Sequence, residues 1–299
     1  MLKSLYSGIS GMKSQQVKMD VIGNNIANVG TTAYKKQTVR FSDTLYQGQI
    51  NSSGSSKNYG GINPSQVGLG VKVAGISKTF TQGSLQTTGR STDVGIDGDG
   101  FFVVAKGDLN NPDDLEFQYT RDGSFAVDEN GHLITADGWR VMGKALDQNG
   151  DPTGDLIPIT IPNVLSVDDG TGTNTMVDKR VVAFNISVNG NGVVTVTLED
   201  SSKHDISKLE LALFINPEGM ENTGGNRYLP TPNSGDVTYL TDGDSKAFGW
   251  INQGYIEMSN VDLSEEFTDM IVTQRSFQAN SKIITTSDEL IQEVLGLKR

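Results

Sequence analysis

Residues 2–35 read LKSLYSGISGMKSQQVKMDVIGNNIANVGTTAYK, and in them Leu2, Leu5, Ile9, Met12, Gln16, Met19, Gly23 and Ile26 recur at alternating steps of three and four. That spacing holds one stripe on one face of a helix, and a seven-residue period is the mark of helices that pair as a coiled coil. A matching column lies near the other terminus, where Leu263, Met270, Phe277, Ile284 and Ile291 follow one another every seven residues. Its companion column is Phe267, Gln274, Ser281, Asp288 and Leu295. Asp262 with Glu265 resembles a capping box, and Glu266 and Asp269 add negative charge at the positive helix end. Gly296, Lys298 and Arg299 mark the stop. A helix over 263–295 is about 50 Å long at roughly 1.5 Å per residue.

Proline placement agrees. All eight prolines fall between Pro64 and Pro232, so only the two ends are free of a residue that breaks helix interiors. Residues 1–40 carry Lys3, Lys13, Lys18, Lys35, Lys36 and Arg40 against Asp20 alone, a net charge of +5. Residues 260–299 hold seven acids and four bases, a net charge of −3. Opposite signs favour pairing of the ends. An antiparallel pair of core helices in an ordinary domain has the same signature. Polar residues at seam positions (Gln16, Gly23, Gln274, Ser281 and Asp288) make the seam weak in isolation. A weak seam suits helices that are disordered in the monomer and order when many subunits pack together.

Between the ends the period shortens to two. Phe101-Phe102-Val103-Val104 is an apolar run, Val182, Phe184, Ile186 and Val188 alternate with smaller or polar residues, Leu209, Leu211 and Leu213 alternate again, and Val193–Leu198 is rich in β-branched residues. Asp122-Gly123, Asn130-Gly131, Asp137-Gly138, Asn149-Gly150, Asn189-Gly190 and Asp242-Gly243 punctuate them as tight turns. Residues 48–70 and 166–178 read as loops. The fold class that follows is multi-domain α+β, mainly antiparallel β in the centre, with long N- and C-terminal helices pairing as a coiled coil. The expected division is 1–34 with 258–299 as the helical domain, 35–144 with 181–257 as the β-rich domain, and 145–180 as an insertion or small outer elaboration.

Composition removes much chemistry. The 299 residues include no cysteine and two histidines, His132 and His204, which excludes disulfides, thiolate metal sites, cysteine nucleophiles and multi-histidine metal centres. A formal charge of −12 argues against a nucleic-acid partner. No stretch approaches the ~20 apolar residues of a membrane span, and residues 1–16 lack the apolar core and cleavage site of a signal peptide. Asp97-Gly98-Asp99-Gly100 and Asp147-Gln148-Asn149-Gly150-Asp151 look like pieces of a calcium loop. The second has Pro152 and Pro158 where the loop needs glycine and glutamate, the first lacks the later ligands, and turns account for both. Phosphate-cradling glycine loops and nucleophile elbows are absent, so neither an enzyme nor a cofactor or metal site is expected. Glycine, 35 residues or about 12% against a background of roughly 7%, belongs largely to the turns.

Residues 2–35 resemble the N-terminal signature of the bacterial flagellar hook and rod family, most specifically Asn24-Asn25-Ile26-Ala27-Asn28-Val29, Thr31-Thr32 and Tyr34-Lys35. Gly30 and Ala33 depart from it, standing where Asn and Gly respectively are common. Gly254–Leu263, with Ser259-Asn260-Val261-Asp262, runs into Glu265-Glu266-Phe267, Met270-Ile271 and Gln274–Asn280 and resembles the C-terminal signature. GIDGDGFFVV at 95–104 and the run Tyr119–Phe125 also fit, whereas 48–65 and 145–180 match least. Within the family the C-terminal run looks most like hook subunits, and the length exceeds that expected of a rod subunit; the distal rod subunit is the alternative. A soluble β-rich binding or scaffold module with helical arms is the alternative of another class.

The resemblance implies a structural subunit that self-assembles into a curved tubular universal joint, transmitting torque from rod to filament. It implies an extracellular place in the flagellum, export by the flagellar export apparatus without a cleaved signal, and contacts with rod, hook-cap and hook–filament junction proteins, with no nucleic acid and no membrane insertion. Leu2, Leu5, Ile9, Met12, Met19, Ile26, Leu263, Phe267, Met270, Phe277, Ile284, Ile291 and Leu295 are the expected self-assembly seam. Asn24, Asn25, Asn28 and Tyr34 are expected to cap the first helix and turn the chain into the β region, their polar groups suiting turns better than burial.

Overall fold

The computed structural model describes residues 2–52, 54–55, 60–108, 115–146, 152–168, 176–186, 192–240 and 248–297. The expected turns at Asn149-Gly150, Asn189-Gly190 and Asp242-Gly243, the run 147–151, the side chain of Leu2, and Lys298-Arg299 lie outside the described residues. The described chain is α+β, with two long helices and otherwise antiparallel strands. It divides into two compact units: 1–29, 35–79 and 261–299 form the first, and 30–34 with 80–260 form the second.

In the first unit, helix α1 spans Leu2–Ala27 and helix α2 spans Leu263–Gly296. Asn28 closes α1, its Nδ2 donating to the Asn24 carbonyl at 2.9 Å and to Asn24 Oδ1 at 2.9 Å. Asp262 opens α2 as N-cap, Oδ1 accepting from the backbone of Ser264 at 2.8 Å and of Glu265 at 3.4 Å. Only half of the expected capping box forms, because the Glu265 carboxylate goes to Lys36 at 2.9 Å. Two strand pairs share this unit. Gln37–Asp43 pairs with Val71–Lys78, with a bulge between Arg40 and Phe41, and Tyr46–Ile50 pairs with Ser65–Gly68. Sequence reading places 48–70 in a loop because the latter strands, exposed on both faces, show no apolar alternation.

In the second unit the central strand is Phe101–Lys106. It pairs with Glu116–Thr120, Arg140–Leu146 and Leu211–Leu213. Its run is buried on both sides, as continuous apolar strands demand. Phe102 and Val104 enter one core with Phe125, Leu133, Val141 and Ile251, whereas Phe101, Val103 and Ala105 enter another with Tyr119, Phe214 and Tyr228. Edge-to-face ring contacts at 4.8–5.8 Å knit the second core together. The stretch 145–180, read as an insertion, adds strands to this same sheet: Pro152–Pro158 pairs with Arg140–Leu146, and Val164–Asp168 pairs with Met176–Ile186. The expected loop at 166–178 is therefore strand at both ends, with 169–175 outside the described residues.

Candidate assembly interface

The two helices pack antiparallel. A Cβ on Gly8 would lie 3.2 Å from Ile284 Cγ1, and one on Gly11 would lie 2.7 Å from Asn280 Nδ2. Farther along, Lys18 meets Asp269 at 3.1 Å and Asn25 meets Glu266 at 3.2 Å. Small residues let the axes approach, so Gly8, Gly11 and Ser14 are buried at the contact, along with Val21, Ile22 and Asn25. At Gly8, Gly11, Ile22 and Asn25 this stripe lies one residue before the apolar one read from the sequence. Leu5, Met12, Met19 and Ile26 are consequently half-buried on its flank, and Ile9 is exposed.

On α2 the column Met270, Phe277, Ile284 and Ile291 is half-buried. Its companion is again one residue earlier than the sequence reading places it, made of Glu266, Thr273, Asn280 and Ser287. Leu263, Phe267 and Leu295 are exposed in the single chain. Buried hydroxyls at the contact are satisfied inside their own helices: Ser14 Oγ donates to the Ser10 carbonyl at 2.9 Å, and Thr273 Oγ1 to that of Asp269 at 2.7 Å. The signal for this stripe is the run of small residues Gly8-x-x-Gly11-x-x-Ser14, which apolar spacing passes over.

A polar knot closes the α1 end of this contact. Asn25, expected in a turn, is buried, and its amide pairs with the backbone of Gln37 in both directions, donating to the carbonyl at 2.9 Å and accepting from the N–H at 3.1 Å. The buried Glu266 carboxylate accepts from Asn25 on one oxygen and meets Lys36 Nζ at 3.0 Å on the other. Burial lowers the Lys36 pKa, but hydrogen bonds and charge from Glu265 and Glu266 outweigh it, and the net effect is a rise above 10.5. The opposite charges of the two ends are the sequence signal for this cluster; the pairing of Lys36 with Glu266 has none.

Of the remaining motif residues, Tyr34, Ser259 and Asn260 belong to the second unit and Val261 begins the last segment of the first. The Ala33 N–H donates to the Glu257 carbonyl at 2.8 Å, Asn260 N–H to the Tyr34 carbonyl at 3.4 Å, and Asn260 Nδ2 to Thr81 Oγ1 at 2.9 Å. Asn226 Nδ2 donates to the Thr32 carbonyl at 2.8 Å. Tyr34 is buried rather than turned outward, and Ser259, Asn260 and Val261 are half-buried. Beneath them lies an ion pair that sequence reading misses, Arg121 Nε to Glu257 Oε2 at 3.3 Å, with both side chains at 2% exposure or less. Glu257 Oε1 also accepts from the Gly83 N–H at 2.8 Å.

Ala33 stands where glycine is common, and its φ of 54° shows why glycine suits the position. The left-handed conformation costs a non-glycine residue about 1–2 kcal/mol. Replacement by glycine would give up a buried methyl and stiffen the unfolded chain less. These terms offset one another, so Ala33→Gly should change stability by less than about 1 kcal/mol. Ala33→Val, β-branched at positive φ and overpacked, should cost about 2 kcal/mol or more. Chemical denaturation of both variants checks this.

Burial pushes the phenols of Tyr119 and Tyr228 well above 10.0. A phenol kept neutral in the fold but free to ionise when unfolded stabilises fully below pH ~10 and less as pH climbs above it. Lys36, also raised, acts in the same direction. Denaturation midpoints should therefore fall between pH 9 and 11, and Tyr228→Phe should shrink that fall in the second unit.

Three family descriptions fall on these elements. "Flagella basal body rod protein" matches residues 5–35, "Flagellar hook protein FlgE/F/G D1 domain" matches 95–196, and "Flagellar basal body rod FlgEFG protein C-terminal" matches 252–297. The chain belongs to the flagellar hook and rod family, which is structural and not enzymatic. Among its relatives, the flagellar basal-body rod protein FlgG of Bacillus subtilis (strain 168) is 40% identical over 299 residues, all of both chains. FlgG of Borreliella burgdorferi is 34% identical over 302 positions, again all of both chains. The flagellar hook protein FlgE of the same organism is 29% identical over an alignment of 449 positions that covers both chains fully.

Proposed function

We propose that the chain is a subunit of the distal flagellar rod, self-assembling through its helix pair into a helical tube. Full-length correspondence with FlgG carries the reading: the rod proteins align over 299 and 302 positions, whereas the hook protein needs 449. Length, which favours the hook when the sequence is read alone, thus favours the rod. Exposed apolar residues on both helices and a contact stripe filled by small and polar groups support helices whose remaining faces are covered by neighbouring subunits. Export without a cleaved signal, and contact with other axial proteins and the export apparatus, follow from the same reading.

The test is polymerisation followed by negative-stain microscopy. Straight, stiff tubes are the expected result. Curved tubes would select the hook, the second reading, which the C-terminal run and the match to hook proteins support. A discrete soluble oligomer would overturn both in favour of a binding module. Deleting residues 1–30 should abolish tubes yet leave the second unit folded, as reported by the fluorescence of Trp139 and Trp250, both of which lie in it. Amide exchange on the dilute monomer tests whether α1 orders only on assembly; full protection of residues 2–28 would contradict that.

A further inference from the structure

Within the second unit a cleft of about 230 Å³ opens beside the central strand, walled by Phe80, Phe101, Phe214 and Ile215. Cofactor and drug-sized sites run to roughly 300–1,000 Å³, so this smaller cleft suits a single large side chain. Phe80 and Phe214 each meet Phe101 edge to face at 5.8 Å, and rings so arranged accept a further ring in the same geometry. Ile215 leaves an apolar side chain uncovered at the mouth, 87% exposed.

Polar groups divide by depth. Arg121 lines the cleft at 2% exposure, its charge already met by Glu257. Its Nη1 makes no hydrogen bond among the described residues, and a neutralised guanidinium suits a neutral acceptor such as a peptide carbonyl. Asp99 also lines the cleft and is exposed, and the exposed Glu218 follows Pro217 of its wall. Neither carboxylate makes an ion pair or a side-chain hydrogen bond among the described residues. Residues 30–34 and 80–260 carry 27 acids against 11 bases, a net charge of −16. An acidic rim on an aromatic cleft favours a basic partner and repels an acidic one.

We propose that this cleft docks an extended segment of a partner protein. The segment seats an aromatic side chain among Phe80, Phe101 and Phe214 and holds a flanking lysine or arginine against Asp99 and Glu218. The site lies wholly in the second unit and does not rest on the assembly reading.

Isoleucine-methyl NMR on the full-length monomer, with acetyl-Lys-Phe-Lys-amide as probe, tests the site. The Ile215 methyl signal should shift and saturate with this peptide. Acetyl-Glu-Phe-Glu-amide and acetyl-Lys-Gly-Lys-amide, lacking the charge or the ring, should each bind at least about tenfold more weakly. Asp99→Lys, at an exposed carboxylate that holds nothing in the fold, should weaken the probe by a similar factor. Its thermal unfolding and its tube formation should match wild type.

An unmoved Ile215 signal, equal affinity for the acidic peptide, or full affinity in Asp99→Lys would overturn the site. Loss of tubes in a folded Asp99→Lys chain would put a second copy in the cleft and overturn a separate partner. A wild-type chain that forms no tubes would overturn the assembly function alone, because the peptide measurements are made on the monomer.

Discussion

Replacing Glu257 by alanine should lower the stability of the second unit by about 3–5 kcal/mol, the scale seen when one partner of a buried ion pair is removed. The pair is fully desolvated, with Arg121 at 2% and Glu257 at 0% side-chain exposure. Arg121 has little else for its charge: Nη2 donates to the Gly98 carbonyl, and the guanidinium lies 5.7 Å from the Phe101 ring centroid. The substitution also strips the Gly83 N–H of its acceptor. Glu257→Gln retains that acceptor and should recover about 1–2 kcal/mol of the loss. Denaturant titration followed by tryptophan fluorescence reads the second unit alone; a Glu257→Ala midpoint close to wild type would show that the pair is screened and energetically idle.

Gly123→Ala should be comparably damaging, costing on the order of 3 kcal/mol or more. A Cβ there would sit 1.6 Å from the Val94 carbonyl oxygen and 2.7 Å from its carbon, and neither belongs to a flexible side chain that could swing aside. Val94 is fully buried, and its N–H donates to the Gly123 carbonyl at 3.0 Å, so both backbones would have to separate inside the core. Gly138 gives the contrast. It has φ of 79°, a Cβ added to it would meet nothing within 4 Å, and Gly138→Ala should cost only about 1 kcal/mol through backbone strain. Near-equal losses in the two variants would contradict the close-approach argument.

Asp122-Gly123 illustrates what can be read in advance and what cannot. The dipeptide announces a turn correctly, yet its glycine is required by a neighbouring strand 29 residues earlier in the chain, which no local pattern records. Both long helices and the run Phe101–Ala105 are legible because burial on a period of 3.6, or on both faces of a sheet, leaves a regular apolar trace. The strands Tyr46–Ile50 and Ser65–Gly68 leave none, being exposed throughout. Apolar spacing finds the two helices but misplaces their contact by one residue, because glycine and serine make the closest approach while larger side chains flank it. Asn25 is misjudged for the opposite reason: asparagine is at home in turns, and only the nearby backbone of Gln37 and the buried Glu266 make its burial tolerable.

The knot that joins Asn25 to Glu266 bridges 241 positions of sequence. That contact cannot form until both ends of the chain are present, whereas most of the second unit is one continuous stretch. Order of events is thereby written into the connectivity. The β unit has the means to fold on its own schedule, and the helix that is synthesised first has to wait for a partner that emerges only after that unit is complete.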